Sequence, residues 1–168
     1  PSVMSKNFSI WLMPAKDDSK YLQGIISQLS REYNSDYFSP HITLYSPLLN
    51  HYRYIEERVE KLSKNLLPVD VKVTNIKYTN NFWKTLFFDI ETSPELIEIH
   101  RALLNYLPNK STNQFLPHIS LIYKKLSLEQ KTKIMKKIIS KKSFTMNKIA
   151  IVQTGEDVNS WKICYVSK

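Results

Sequence analysis

The chain alternates between short apolar runs and longer segments with helical spacing. The run FSIWLM at Phe8–Met13 is closed by a proline and predicts a strand. HITLY and FLPHISLIY, each following a polar loop, predict two more strands. Four further strand-like runs lie at Val69–Thr79, Phe82–Thr92, Phe144–Thr154 and Trp161–Val166. An Asn-Asn pair joins the first two of these runs and is a plausible hairpin turn.

Four segments place apolar side chains three or four residues apart, which is the spacing of an amphipathic helix. They run from about Asp17 to Tyr33, Tyr52 to Leu66, Ser93 to Leu107 and Leu128 to Ser140. In the last segment the lysines are expected to form a solvated face, with an RNA-binding stripe as the alternative. Because strands and helices interleave, the pattern predicts an α+β fold, and the length predicts a single domain over residues 1–168.

Composition narrows the class of function. Two glycines exclude the Gly-rich phosphate loops of P-loop and dinucleotide-binding proteins. One cysteine excludes an internal disulfide or a cysteine zinc site and fits a reducing compartment, so a cytoplasmic location is expected. No run reaches the ~18 apolar residues of a membrane helix, and no membrane partner is expected. A net charge of +9 favours anionic partners such as nucleotides or RNA.

A five-residue repeat carries the chemistry. The segment PHITL, which holds His41 and Thr43, recurs as PHISL, which holds His118 and Ser120, 77 residues later. Residues i and i+2 of a strand face the same side, so each copy presents an imidazole beside a hydroxyl, with two apolar residues on the opposite face. Only four histidines occur in the chain, and two of them hold equivalent places in this repeat.

Two imidazoles and two hydroxyls form a suitable site for a phosphodiester. Imidazole titrates near pH 6.5, so a neutral histidine can take a proton while a charged one donates a proton. The hydroxyls can donate hydrogen bonds to the non-bridging phosphate oxygens. His41 and His118 are therefore the predicted catalytic pair, and a bell-shaped pH–rate profile is expected. A two-metal phosphoesterase would need several more carboxylates or histidines near the two motifs, and the motifs offer none. No metal and no cofactor is therefore expected.

These motifs resemble those of the 2H phosphoesterase superfamily, which is defined by two His-hydrophobic-[Thr/Ser]-hydrophobic segments. The opening FSIWLMP, the segment FWKTLFFDIETSPEL and the closing SWKICYV are similar to the plant and yeast-type 2′,3′-cyclic nucleotide phosphodiesterases. The resemblance implies a bilobal fold, with two pseudo-symmetric antiparallel sheets, outer helices and a central cleft. It also implies that Thr43, Ser120 and Tyr123 bind substrate. Tyr123 has an odd offset from His118, so it must lie where the strand bends or ends.

The resemblance implies metal-independent hydrolysis of a cyclic phosphate on ribose, to the 2′ (1″) phosphate. The expected substrate is a small nucleotide, either a nucleoside 2′,3′-cyclic phosphate or the ADP-ribose 1″,2″-cyclic phosphate formed after tRNA splicing. Trp11 and Trp83 are the predicted base-stacking residues, and the protein is expected to be a monomer. Two alternatives stay open: an RNA-processing enzyme acting on RNA ends, as a 3′-end exonuclease or 2′–5′ phosphodiesterase, and a non-catalytic RNA-binding module.

Overall fold

The fold is described by a computed structural model that covers residues 7–48, 53–107 and 114–168. His51, the start of the second predicted helix and part of the polar loop before PHISL lie outside the described residues. Seven strands and four helices occur in the described ranges. The strands are β1 (Asn7–Pro14), β2 (Ile42–Leu48), β3 (Val69–Tyr78), β4 (Leu86–Ile90), β5 (His118–Ile122), β6 (Ser143–Thr154) and β7 (Lys162–Val166). The helices are α1 (Lys16–Tyr33), α2 (Arg53–Leu66), α3 (Pro94–Leu104) and α4 (Leu128–Lys137).

Short side chains fix where the helices begin and end. Ser93 and Ser127 accept hydrogen bonds from backbone N–H groups of the first turns of α3 and α4. In α4 the Gln130 side chain returns the bond to the Ser127 backbone, so the cap is reciprocal. Asn34 ends α1 in the left-handed conformation, which asparagine tolerates better than most residues.

All seven strands join one antiparallel sheet in the order β1-β2-β5-β4-β3-β6-β7. β6 also pairs with β1, so β1 to β6 are hydrogen-bonded neighbours around a closed circuit. The α+β class with antiparallel strands and helices is thus confirmed, and the two sheets implied by the resemblance are joined into one seven-stranded sheet. They meet where β2 joins β5 and where β3 joins β6.

The helices cover the apolar face of this sheet. α1 packs against β1 and β5, α2 packs against β6 and α3, and α3 also reaches β3. The shared core is built from fully buried residues of strands and helices, among them Ile10, Leu22, Val59, Phe88 and Ile119. Because alternate residues of each strand point into this core, the remaining side chains of β1, β2, β4 and β5 are free to line a polar face.

Two of the predicted strands begin later than expected because a 3-10 turn precedes them. The strand expected at Phe82–Thr92 begins at Leu86, since Phe82–Lys84 forms a short 3-10 turn. Asn81 caps this turn by accepting from the Trp83 N–H, and the Thr85 hydroxyl donates to the Phe82 carbonyl. A second 3-10 turn, Val158–Ser160, precedes β7, so that strand begins at Lys162. In both places local hydrogen bonds to the backbone outcompete the strand preference of the aromatic residues.

Candidate active site

The register of two neighbouring strands brings the repeated motifs together. Ile42 of β2 pairs with Ile119 of β5 in antiparallel orientation. One residue to either side of this pair, the same register sets His41 across from Ser120 and Thr43 across from His118. Each imidazole therefore lies beside the hydroxyl position of the other motif, and the two copies are related by a local two-fold.

Both imidazoles are oriented by the same backbone contact. His41 Nδ1 lies 2.8 Å from the Ser39 carbonyl oxygen, and His118 Nδ1 lies 2.9 Å from the Leu116 carbonyl oxygen. A carbonyl oxygen only accepts hydrogen bonds, so Nδ1 of each ring must carry the proton. Nε2 of each ring is left to accept a proton when the ring is neutral or to donate one when the ring is charged.

His41 occupies an apolar setting. It is 4% exposed and lies flat on Trp11, with ring centroids 3.5 Å apart and an angle of 5° between the planes. Burial lowers the pKa of the His41 imidazole to about 3, against the opposing effect of the Ser39 hydrogen bond, and the charge of His118 lowers it further. His41 is therefore neutral over the ordinary pH range, in the state that can accept a proton.

His118 occupies a more open and more polar setting. Its ring meets Phe87 edge-to-face at 5.2 Å. Burial is the main cause that lowers the pKa of His118, the Leu116 hydrogen bond opposes it, Lys84 lowers the pKa and Asp89 raises it. His118 is thus the less buried member of the pair and has charged neighbours of both signs.

The two hydroxyl positions differ in access. Thr43 lines the cleft beside both imidazoles. Ser120 is buried, its Oγ makes no hydrogen bond of ordinary geometry with the described residues, and its side chain is not among those lining the cleft. This placement departs from the expected symmetric pair of phosphate-binding hydroxyls. Ser120 lies on the same face of β5 as His118, and the neighbouring Tyr123, whose phenol is close to the Ser120 hydroxyl, leaves it buried.

Tyr123 lies one residue beyond the end of β5, where the strand alternation no longer applies, and it lines the cleft. Burial raises the pKa of the Tyr123 phenol to about 12, and the nearby Ser120 hydroxyl partly opposes this rise. The phenol therefore remains protonated at every pH at which the histidines titrate.

The two tryptophans predicted to stack on a base differ in their exposure to solvent. Trp11 is 3% exposed, and His41 covers one face of its indole. Trp83 on the 3-10 turn is 40% exposed and lies nearly parallel to Trp161, at 5.9 Å and 16°. Trp83 also meets the Tyr123 ring edge-to-face at 5.4 Å. An aromatic surface for a base is thus accessible at Trp83, while Trp11 supports His41.

The cleft has a volume of about 660 Å³. It is lined by Asn7, Ser9, Trp11, His41, Thr43, Ser46, Pro47, Asn81, Trp83, Lys84, His118, Tyr123, Thr154, Gly155 and Trp161. All the site residues predicted from the sequence line the cleft, except Ser120.

Sequence reasoning missed a cation and a group of hydroxyls. Lys84 lines the cleft with its Nζ 5.0 Å from the Phe87 ring centroid, and it forms no ion pair with the described acidic residues. Ser9 Oγ donates to Ser46 Oγ at 2.8 Å and lies 3.1 Å from Thr154 Oγ1. No sequence signal could have found Lys84 among 24 basic residues, and the hydroxyls meet only through strand pairing.

Within residues 7–48, 53–107 and 114–168, no three side chains of His, Cys, Asp or Glu are grouped closely enough to hold a metal ion. None of the helices in these ranges combines the length and the apolarity needed to cross a bilayer.

Comparison with known proteins shows the family and the fold of the chain. The 2′-5′ RNA ligase superfamily matches residues 19–158 of the chain. The chain is similar to a cyclic phosphodiesterase of Arabidopsis thaliana, with 22% identity over 156 residues that cover 89% of this chain and 86% of that protein. Its fold is similar to that of E. coli LigT in apo form, with a TM-score of 0.60, 12% identity and coverage of 96% and 95%. LigT complexed with 3′-AMP aligns with a TM-score of 0.56, 9% identity and coverage of 98% and 99%. The chain therefore belongs to the 2′-5′ RNA ligase superfamily and is a 2H phosphoesterase, an enzyme of the phosphodiesterase type.

Proposed function

We propose that the protein hydrolyses a cyclic phosphate on ribose, in a nucleoside 2′,3′-cyclic phosphate or an ADP-ribose 1″,2″-cyclic phosphate. The observation that carries this proposal is the pair of histidines in one cleft, each with Nδ1 bound to a carbonyl and Nε2 left for proton transfer. The similarity to a protein named cyclic phosphodiesterase, and in fold to E. coli LigT, which was solved in complex with 3′-AMP, supports it.

The environments of the two histidines support different roles. We assign His41 as the base, because its apolar setting keeps the ring neutral. His41 takes a proton from water as the water oxygen attacks phosphorus. His118 gives its proton to the 3′ oxygen as the bond between that oxygen and phosphorus breaks. The products are a free 3′ hydroxyl and a 2′-phosphate, and the two rings act from opposite sides of the phosphorus.

Three further groups complete the proposed site. The Thr43 hydroxyl donates to a non-bridging phosphate oxygen, whose charge increases as phosphorus becomes five-coordinate. The Lys84 ammonium balances the charge of the phosphate from the 3-10 turn. A base stacks on the exposed indole of Trp83, a contact worth roughly 1–3 kcal/mol.

The mechanism uses only protons and hydrogen bonds, so the proposal includes no cofactor. We place the protein in the cytoplasm as a monomeric single domain that acts on a small nucleotide, with nucleotides released by tRNA splicing as one source. The charge of +9 keeps RNA ends as a second class of substrate to be tested.

The decisive experiment is incubation with the four nucleoside 2′,3′-cyclic phosphates and ADP-ribose 1″,2″-cyclic phosphate in excess EDTA, with the product phosphate located by ³¹P NMR. We expect turnover of at least one substrate to the 2′ (1″) phosphate. A 3′-phosphate product, or activity that returns only on adding a divalent ion, would contradict the mechanism. No turnover, combined with RNA binding that weakens steeply with salt, would favour the non-catalytic module.

A further inference from the structure

A second pocket opens from the catalytic cleft on the side of His118. It has a volume of about 270 Å³ and is lined by Thr43, Leu44, Tyr45, Ser46, Lys84, His100, Gln114, Phe115, Leu116 and His118. Four of these residues also line the cleft, namely Thr43, Ser46, Lys84 and His118. A molecule with its phosphate between the two histidines can therefore extend into this second pocket, which we call the His100 pocket.

One wall of the His100 pocket is aromatic. His100 of α3 lies flat on Phe115, with ring centroids 4.2 Å apart and an angle of 4° between the planes. Both residues are partly buried, and both line this pocket but not the cleft. The two rings have no part in the proposed mechanism. Such a wall offers an apolar surface on which a planar ring of a ligand can pack.

The two halves of the chain differ at this point. With the 77-residue spacing of the repeat, Phe38 corresponds to Phe115, and Tyr123 corresponds to Ser46. In the first half, the Tyr123 ring packs on Phe38 with centroids 4.3 Å apart, and Phe38 is 4% exposed. In the second half, Ser46 is too short to cover Phe115 in this way, and both residues line the His100 pocket. The pocket therefore has room for an aromatic ring where the other half of the fold has its own phenol.

Polar groups surround this space. Lys84 lines both the cleft and the His100 pocket, and no acidic side chain of the described residues belongs to the pocket lining. The Ser46 hydroxyl accepts a hydrogen bond from Ser9, so its own proton can be donated to a ligand. Gln114 is exposed and carries both donors and an acceptor. A cation where the two cavities join, with polar groups beside an aromatic wall, suits a nucleobase that is attached through a phosphate.

The proposed mechanism decides which part of the substrate points toward this pocket. His118 protonates the departing 3′ oxygen, so the 3′ carbon of the ribose lies on its side. The 3′ carbon is bonded to the 4′ carbon, which carries the 5′ carbon, whereas the base is attached on the side of the 2′ carbon. Trp161, which stacks with Trp83, has its ring 6.4 Å from that of His41, so the platform for this base lies on the opposite side. The His100 pocket therefore faces the substituent on the 5′ carbon.

We infer that the His100 pocket binds a second nucleoside, joined by a phosphodiester to the 5′ carbon of the reacting ribose. The inference rests on the proposed function, because the position of the ribose follows from the roles of the two histidines. It makes a dinucleotide that ends in a 2′,3′-cyclic phosphate a better substrate than the corresponding mononucleotide.

Calorimetric titration with product-like ligands tests the inference without requiring turnover. The ligands are adenosine 2′-monophosphate, adenosine 2′,5′-bisphosphate and the dinucleotide adenylyl-(3′→5′)-adenosine 2′-monophosphate. The bisphosphate carries a 5′ phosphate without the second nucleoside, so its dissociation constant divided by that of the dinucleotide reports on the second nucleoside alone. We expect this affinity ratio to be about tenfold, as stacking of one base on an aromatic side chain provides.

Three variants locate this gain in affinity. His100→Ala removes one ring of the aromatic wall and should reduce the affinity ratio to about twofold. Ser46→Tyr places a phenol where the other half of the fold has Tyr123, and it should abolish the gain by filling the pocket. Ile97→Ala is the matched control, because it shortens an exposed apolar side chain of the same helix outside the pocket lining. It should leave the affinity ratio unchanged.

The affinity ratio is measured within each variant, and the melting temperature identifies a variant that does not fold. A lower ratio in His100→Ala or in Ser46→Tyr than in Ile97→Ala would support the inference. Equal affinities of the dinucleotide and the bisphosphate in the unaltered protein, or an undiminished ratio in both variants, would overturn the His100 pocket as a nucleoside site. Binding of adenosine 2′-monophosphate and turnover of nucleoside cyclic phosphates report on the proposed function separately.

Discussion

The two copies of the motif share a backbone but not an environment. In both, Nδ1 of the imidazole meets the carbonyl two residues earlier, at 2.8 Å for His41 and 2.9 Å for His118. Around this common feature, the first copy has a stacked indole and an accessible threonine. The second has an edge-on phenyl ring, charged neighbours and a buried serine.

This difference shows how a duplicated motif can serve two roles. Orientation and tautomer come from main-chain contacts, which depend on strand geometry and are therefore kept in both copies. Basicity comes from the side chains packed around each ring, which belong to other strands and can differ. The protein thus has two equivalently oriented imidazoles with separately adjusted proton affinities.

Removing either imidazole should have the largest effect. His41→Ala and His118→Ala are each expected to lower kcat by about 10²–10⁴, the usual contribution of positioned acid–base catalysis. The double variant should be little slower than the slower single variant, because both residues act in one proton-transfer sequence. Steady-state kinetics with circular dichroism as a folding control checks this. A single variant with full turnover would leave its histidine outside the mechanism.

The pH profile of kcat/KM should show the two histidines as two separate limbs. The active form needs neutral His41 and charged His118. His41 has a pKa of about 3, so the acidic limb should lie well below neutrality rather than just below it. The pKa of His118 is lowered from 6.5, so activity should fall by about tenfold per unit as the pH rises above that pKa, with the bend below pH 6.5.

Two variants with opposite effects sharpen this profile. Lys84 lowers the pKa of His118, so Lys84→Met should move the alkaline limb to higher pH. Asp89 raises the pKa of His118, so Asp89→Asn should move the same limb to lower pH. The acidic limb, which reports His41, should stay in place in both. If the acidic limb moves and the alkaline limb stays, the lower of the two apparent pKa values belongs to His118, which contradicts the neutral state assigned to His41.

The hydroxyls should give the smallest effects, and unequal ones. Thr43→Ala removes a hydrogen bond to a charged phosphate, about 1.5–3 kcal/mol, which corresponds to roughly 10- to 100-fold in kcat/KM. Ser120→Ala should cost less than about fivefold, because its hydroxyl is buried and is not among the groups that line the cleft. Its melting temperature should be little changed, since the Ser120 Oγ makes no hydrogen bond of ordinary geometry with the described residues. Equal losses would restore the symmetric pair that the sequence predicts.

The catalytic motifs could be predicted from the sequence because each of them depends on a few neighbouring residues. The alternation of side chains around His41 and His118 can be predicted from five consecutive residues. The helix caps at Ser93 and Ser127 can likewise be predicted from the few residues around them. The 3-10 turn at Phe82–Lys84 was missed because its aromatic residues also suit a strand, and the Asn81 cap decides between the two.

Features that depend on distant pairing could not be predicted. The stacking of Trp11 on His41 follows from the pairing of β1 with β2, which sets Trp11 across from Thr43. The burial of Lys131 contradicts the rule that lysines of an amphipathic helix face solvent. It becomes favourable only when the Thr79 carbonyl and Asn80, some fifty residues earlier, supply the hydrogen bonds.

The Ile42–Ile119 pair also determines which changes in the chain the site can survive. It is the register pair observed between β2 and β5, and the two motifs are arranged symmetrically about it. Adding or deleting one residue in either strand would reverse the alternation on one side and turn a histidine toward the core. Slipping by two residues would keep the faces but set His118 across from Tyr45 or His41. Changes of length are therefore tolerable in the loops that precede the strands. The pairing of β2 with β5 itself fixes the distance between the acid and the base.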